Sequence, residues 1–193
     1  HPILHSFPTR RSSDLQEQVA DLGAFHRSLD MVIQFSPFDA VGRPRIAQLI
    51  SRCNQFNQTT RRYTAEQIRA MEDDPSLVTL QVRLADRFGD NGMVAVLIGR
   101  LDGVALEIDT WLMSCRVLGR RVEEASLAEL VRLSRERGVE QLVGRWIPSG
   151  RNGLVEQHYS ALGFEAAGAE GDETLWHLDL RGWQRVDLPF TTR

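Results

Sequence analysis

Residues 104–138 constrain the fold more than any other stretch of this chain. Ala105 to Met113 alternates as a strand does, with Leu106, Ile108, Thr110 and Leu112 on one face and Glu107, Asp109, Trp111 and Met113 on the other. Ser114 to Arg121 comes next as a tight polar loop with one glycine, Gly119, and three arginines, Arg116, Arg120 and Arg121. The next apolar residues, Val122, Ala125, Leu130 and Leu133, recur at helical spacing, and Leu127 and Val131 widen that face. A helix is predicted from near Val122 to about Arg137, with Gly138 as its stop. A strand feeding a helix through an Arg/Gly loop suits an anion, because first-turn N–H groups lack intrahelical acceptors and the helix dipole favours negative charge there. The arginines would add charge-assisted forks. The same residues also describe an ordinary connection with solvated arginines, since one glycine is a weak phosphate signal.

The 193 residues suffice for one well-buried domain. A net charge of −3 gives no overall attraction to nucleic acid or an anionic membrane. All 23 basic residues are arginine, which excludes a Schiff-base or P-loop lysine from this chain. Two cysteines, Cys53 and Cys115, do not make a disulfide framework, so a reducing cytoplasm is expected. With no clustered histidine ligands, no metal site is expected either. No apolar run approaches the roughly 18 residues that span a bilayer.

Residues 1–15 do not match the rest of the chain. His-Ser-Phe-Pro-Thr-Arg-Arg-Ser-Ser-Asp-Leu resembles a translated sequencing adapter, so 1–15 is set aside as a non-native or disordered leader, and 16–193 is expected to be one domain. Residues 16–29 read as a helix burying Val19, Leu22, Phe25 and Leu29. Met31 to Phe35 reads as a strand ended by Pro37. A helix is predicted from Pro44 to Gln55. Asn54 to Tyr63 is rich in amides and hydroxyls, which suit irregular backbone or a polar ligand. Thr64 and Gln67 form a capping box for a helix to about Met71. Strands are predicted at Leu77–Leu84 and Met93–Leu101, and Asp102-Gly103 signals a hairpin into the central strand. The remainder reads as a strand at Gln141–Ile147, a helix at Asn152–Leu162 and strands from Phe164 and at Glu173–Leu180, with a peripheral tail. The class is α/β (α+β), a mixed sheet covered by helices.

This order of elements resembles the GNAT acyltransferase fold. Arg116 and Gly119 match its pyrophosphate loop in part, and Tyr159-Ser-Ala-Leu-Gly-Phe164 resembles its Tyr-x-x-Leu-Gly-Phe ending. The resemblance implies that Arg116, Val117, Gly119, Arg120 and Arg121 bind the pyrophosphate of coenzyme A or the phosphopantetheine of an acyl carrier protein. It also implies that Tyr159 protonates a leaving thiolate. Arg45 to Ile50, Asn54-Gln-Phe-Asn57, Thr60-Arg-Arg-Tyr63, Asp86 to Gly92 and Asp109 to Arg120 together resemble the C-terminal half of FkbH-like proteins. Members of that family carry an N-terminal HAD phosphatase-like domain and load a glyceryl unit from 1,3-bisphosphoglycerate onto an acyl carrier protein. The HAD nucleophile motif is absent from this sequence, so the resemblance implies a fragment without the phosphatase step.

Cys115 is the sharpest candidate. A thiolate there would hold an acyl group between donor and carrier, and Arg116 and the helix N-terminus would stabilise it; the other reading is a buried structural cysteine. Asp109 and Glu107 lie where a base would take the proton of an incoming thiol, or they are sheet polarity bonded to the Asn54–Asn57 segment. Tyr159 is a general acid or a core tyrosine, and His158 reads as a structural histidine. Asn54, Asn57 and Arg62, with Arg61, bind glyceryl hydroxyls or a donor phosphate, or cap elements. Cys53 reads as a small buried filler. The expected activity is acyl transfer to a carrier protein. The alternatives are a non-catalytic docking module and an acetyl-CoA-dependent N-acetyltransferase.

Overall fold

The computed structural model describes residues 9–193, with side chains from Asp14 onward. The helices are α1 (Thr9–Ser28), α2 (Arg43–Arg52), α3 (Ala65–Glu72), α4 (Val122–Glu136) and the short α5 (His158–Ala161). The strands are β1 (Met31–Ser36), β2 (Leu77–Asp86), β3 (Gly89–Asp102), β4 (Ala105–Met113), β5 (Gln141–Trp146), β6 (Glu165–Glu170), β7 (Glu173–Asp179) and β8 (Phe190–Thr192). They form one mixed sheet in the order β6-β7-β5-β4-β3-β2-β1-β8. β1, β2, β3 and β4 pair antiparallel in succession, β5 joins β4 in parallel, and β8 joins β1 in parallel.

Helices cover both faces, so the central strands are buried on both sides. On one face Leu127, Leu130 and Val131 of α4 and Tyr159 of α5 pack on Leu106, Ile108, Trp111 and Met113 of β4. On the other, Ile46, Leu49 and Ile50 of α2 and Ile68 and Met71 of α3 pack on Val96, Ile98 and Leu112. Burying each such aliphatic side chain contributes roughly 1.5–3 kcal/mol, so this double layer is the main source of cohesion.

β4 has the predicted limits but not the predicted faces. Ile98 pairs with Thr110 and Gly99 with Ile108, so Asp109 is an extra residue on β4, a β-bulge. One extra residue shifts the alternation by one. Leu106 and Ile108 therefore share a face with Trp111 and Met113, while Leu112 points to the opposite core. Gly103 ends the β3–β4 hairpin at φ +57°, and the register makes Gly103-Val104 the two-residue loop.

Several expectations change. α1 extends into the stretch read as a leader, whose residues 1–8 lie outside the described ones. Its predicted core face is largely bare: Val19, Leu22 and Phe25 are exposed and only Leu29 is buried. α2 stops at Arg52, because Arg62 crosses under its end and donates to the Ile50 and Cys53 carbonyls. The Thr64–Gln67 capping box forms as predicted. The Asp86–Gly92 stretch continues β2 and β3 around a turn instead of standing apart as a loop. The helix predicted over Asn152–Leu162 is a 3-10 turn at Gly153–Val155 followed by α5. The tail supplies β8 at the sheet edge. Among the described residues no helix is long and apolar enough to cross a membrane.

Candidate active site

The site is built where β4 and β5 part. The two strands are paired only from Ala105–Glu107 to Gln141–Val143. Beyond that β4 has a free edge, and unpaired backbone groups there would be costly to bury. The chain covers this edge itself with Phe56–Thr59. The Met113 N–H donates to the Phe56 carbonyl at 3.1 Å, and the Gln58 N–H donates to the Trp111 carbonyl at 3.1 Å. Thr59 Oγ1 donates to the Asp109 carbonyl at 2.8 Å. The other side of the wedge is held as well: the Ile147 N–H donates to the Gln58 carbonyl at 2.9 Å. Asn152 Nδ2 donates to the carbonyls of Asn57 and Ile147, both at 2.9 Å. Asn57 is fully buried, its amide donating to the Cys53 carbonyl and accepting from the Thr60 N–H. It organises the wedge and offers nothing to a substrate, which corrects its expected binding role.

Asp109 is corrected too. Its carboxylate is 1 % exposed and fully engaged: Oδ1 accepts from Arg61 and Arg100, and Oδ2 accepts from Tyr63 and Thr110. Burial alone would push its pKa up, but the bonds from Arg100, Tyr63 and Thr110 and the Arg61 charge hold it below the usual carboxylate range. A carboxylate with filled lone pairs and a depressed pKa is a poor base. The bulge explains the arrangement: it turns Asp109 out of the ladder toward the segment before α3.

Tyr159 lies in the opposite core. It is fully buried, stacked edge-on with Trp111 and His158 and tilted against Phe164. Its ring rests on the backbone of Gly144, where an added Cβ would come within 2.6 Å of it, so this strand position requires glycine. Its hydroxyl makes at most a weak contact with the Arg145 backbone, and burial drives its pKa far above the ordinary tyrosine value. It is a packing residue, not a general acid. His158, wedged between Phe56 and Trp111, is pushed down by burial to about 3 and stays neutral.

The loop after β4 spends much of its bonding capacity within the protein. Cys115–Val117 is a 3-10 turn capped by Ser114. Val117 is fully buried. Arg120 pairs with the nearly buried Asp86 at 2.7 Å, and Arg121 forms a two-pronged bond with Glu124. Gly119 at φ +76° and Arg121 at φ +65° turn the chain into α4, whose first turn already carries Glu123 and Glu124. Burial pushes the Glu123 carboxyl upward. Two of the three arginines are therefore neutralised within the protein, and only Arg116, bonded to Ser114 Oγ, faces outward.

Cys115 stands apart from these closed arrangements. It is exposed at the end of β4, on the wall of an open cavity of about 640 Å³. Its thiol donates weakly to Gln55 Oε1 at 3.5 Å. Asn54 lines the same cavity with its Oδ1 held by Arg62 at 2.5 Å. Arg62 itself is committed to closing the end of α2, which removes it from the predicted substrate contacts. Cys53 is also on the wall; burial, then the neighbouring Cys115, push its thiol up. Arg52 from α2 and Arg151 from the turn after β5 complete the wall, and among the described residues neither guanidinium has an ion-pair partner. Among the described residues no carboxylate lines this cavity. The sequence reading missed both arginines. The cavity that results is basic and open, with the exposed Cys115 and the half-buried Cys53 thiols on its wall.

No family model matches the chain, and no curated protein matches it. Its likeness to solved structures is one of shape. The ribosomal-protein-S18-alanine N-acetyltransferase of Escherichia coli superposes with a TM-score of 0.57 at 14% identity, covering 77% of this chain and 94% of that one. The GNAT domain of S. lividans PAT gives 0.59 at 13% identity, covering 75% and 89%. The PaiA N-acetyltransferase of Thermoplasma acidophilum, solved in complex with coenzyme A, gives 0.54 at 10% identity, covering 76% and 98%. The chain has the GNAT fold: an α/β architecture whose central strands part beside a loop that enters a helix.

Proposed function

We propose that this domain carries an acyl group on Cys115 and passes it to the phosphopantetheine thiol of an acyl carrier protein. The observation that carries this reading is the exposed Cys115 thiol in a basic cavity, while Asp109, Asn57, Arg62 and Tyr159 are already engaged or buried. The FkbH-like resemblance supports a glyceryl-type acyl group, an acyl-phosphate donor and an upstream HAD domain as partner.

The Cys115 thiolate attacks the acyl carbon of the donor, and the carbon–oxygen bond to phosphate breaks with its electron pair leaving on phosphate. Arg52 and Arg151 are placed to hold that anion, whose charge grows as the bond breaks. Gln55 orients the sulfur, and the Asn54 amide is free to donate to a hydroxyl of the acyl group. The carrier thiolate then attacks the Cys115 thioester and expels the Cys115 thiolate, so one carrier proton is released per transfer.

The experiment is to incubate the protein with an acyl phosphate and follow the intact mass. A gain of one acyl group that maps to Cys115 and disappears on adding the carrier supports the reading. Acyl-carrier formation at an undiminished rate by Cys115→Ala overturns it. That outcome would favour the docking reading, which the occupied β4 edge and neutralised Arg120 and Arg121 also suit. An acetyl-CoA-dependent N-acetyltransferase is the weaker alternative, because those same two features oppose coenzyme A.

A further inference from the structure

We infer that Phe56–Thr59 replaces, with the chain's own backbone, the amide-bearing arm that a coenzyme A user would lay along β4, so this protein excludes coenzyme A from the strand opening. The part of this that concerns acceptor thiols rests on the Cys115 reading above; the exclusion does not.

Coenzyme A is an anionic head joined to an arm with two secondary amides. A protein holds such an arm most economically by an unpaired strand edge, whose N–H and C=O groups match the amides, and holds the head by free N–H groups and cations. The edge nearest the loop after β4 is the stretch of β4 beyond Glu107, where β5 has departed. Three backbone groups that would face the arm are already bonded: the Asp109 carbonyl by Thr59, the Trp111 carbonyl by the Gln58 N–H, and the Met113 N–H by the Phe56 carbonyl. The pairing is that of an antiparallel strand, with Asn57 opposite Leu112.

The occupant is fixed from both sides. Asn152 holds the Asn57 carbonyl, and the Ile147 N–H holds that of Gln58, so removing the segment would break bonds to β4 and to the turn after β5 together. Phe56 buries its ring against His158, while the Asn57 and Gln58 side chains are fully buried. Residues so placed do not leave without opening the core. The head-group position is weakened as well, since Arg120 and Arg121 are paired with Asp86 and Glu124 and Glu123 shares the first turn of α4, which leaves Arg116 as the outward cation of that loop. The route that remains is the outer cavity at Cys115, which an acceptor thiol enters past Arg52 and Arg151 without displacing the wedge.

The test is amide hydrogen exchange of the protein, read at Gln58, Met113 and Ile147, with and without coenzyme A at about 1 mM, well above the dissociation constant of a specific site. The expected result is core-like protection of the three amides that coenzyme A leaves unchanged, while Cys115 remains open to a maleimide. Binding of coenzyme A with altered exchange at Gln58 or Met113 overturns the inference. Binding without such change supports it, since the ligand then sits outside the opening. Asn152→Ala frees two carbonyls and is expected to speed exchange at Gln58 at least tenfold; no change there would mean that the wedge is not held as described. If Cys115 never carries an acyl group while the three amides behave as expected, the transfer reading falls and the exclusion stands.

Discussion

The middle of β4 and the turn that follows it treat similar chemistry in opposite ways. At Asp109 the protein gathers a carboxylate, two arginines and a tyrosine and satisfies each of them internally. At Cys115 it leaves a thiol, two guanidinium groups and amides facing solvent with few internal partners. The first arrangement is a joint that locks the segment before α3 onto a bulged strand. The second has unspent bonding capacity, which is what a binding site needs. Residue type does not separate the two; the count of free donors and acceptors does.

Breaking each site tests that contrast. The largest effect is expected at the open site: Cys115→Ala should lower acyl transfer at least about a hundredfold while leaving the denaturation midpoint unchanged. At the closed site Asp109→Ala should remove about 1–3 kcal/mol of stability, seen in urea unfolding, because the Tyr63 and Thr110 hydroxyls lose their acceptor while the half-exposed arginines turn to solvent. The alkylation rate of Cys115 in the folded fraction should not move. Arg52→Gln combined with Arg151→Gln should raise the KM for an acyl phosphate roughly tenfold and shift stability by no more than about 0.5 kcal/mol.

The buried aromatic cluster behind the wedge gives a pH-dependent prediction. His158 titrates near 3 in the folded protein against an ordinary value of 6.5. The unfolded chain therefore binds a proton that the folded one refuses, and stability falls as pH drops below 6.5 toward 3. Between pH 6.5 and 5 the loss should be about 1.5 kcal/mol. His158→Phe should flatten that part of the curve. Asp109 acts in a lower window: its folded pKa is depressed, so its contribution is present above the ordinary value of 3.8 and is lost as pH falls further. The smallest effect is expected from Tyr159→Phe, which removes a buried hydroxyl with at most a weak contact to the Arg145 backbone. Stability should stay within about 1 kcal/mol and transfer should be unchanged; a large loss of transfer would return Tyr159 to the chemistry.

The sequence was most legible where local chemistry decides structure. Asp102-Gly103 placed the hairpin to within one residue, Thr64 and Gln67 placed the start of α3, and Ala105–Met113 had the right limits. It was least legible where distant partners decide. A bulge changes neither composition nor length, so the swapped faces of β4 left no mark. The helical period of α1 was read correctly as amphipathic, but a period does not say whether anything covers the apolar side. Arg120 was misjudged because its partner, Asp86, lies on another strand. Arg121 need not have been, since Glu124 stands three residues on and pairs along the same helix. Cys115 stood out from its loop, and the fold leaves it exposed on a cavity wall. Arg52 and Arg151 were not, because arginine carries no local signature and only the fold brings α2 to the turn after β5.

The supernumerary residue at position 109 has a consequence for how this chain tolerates change in length. Upstream and downstream halves of β4 are out of phase by one, and each half is matched to its own set of helices. Deleting a single residue there would restore a regular ladder and send Trp111 and Met113 to the wrong side, exchanging places with Leu112. The same deletion in the Gly103-Val104 loop would alter only a turn. Parity, more than any one side chain, is what ties the open end of this strand to the scaffold that presents it.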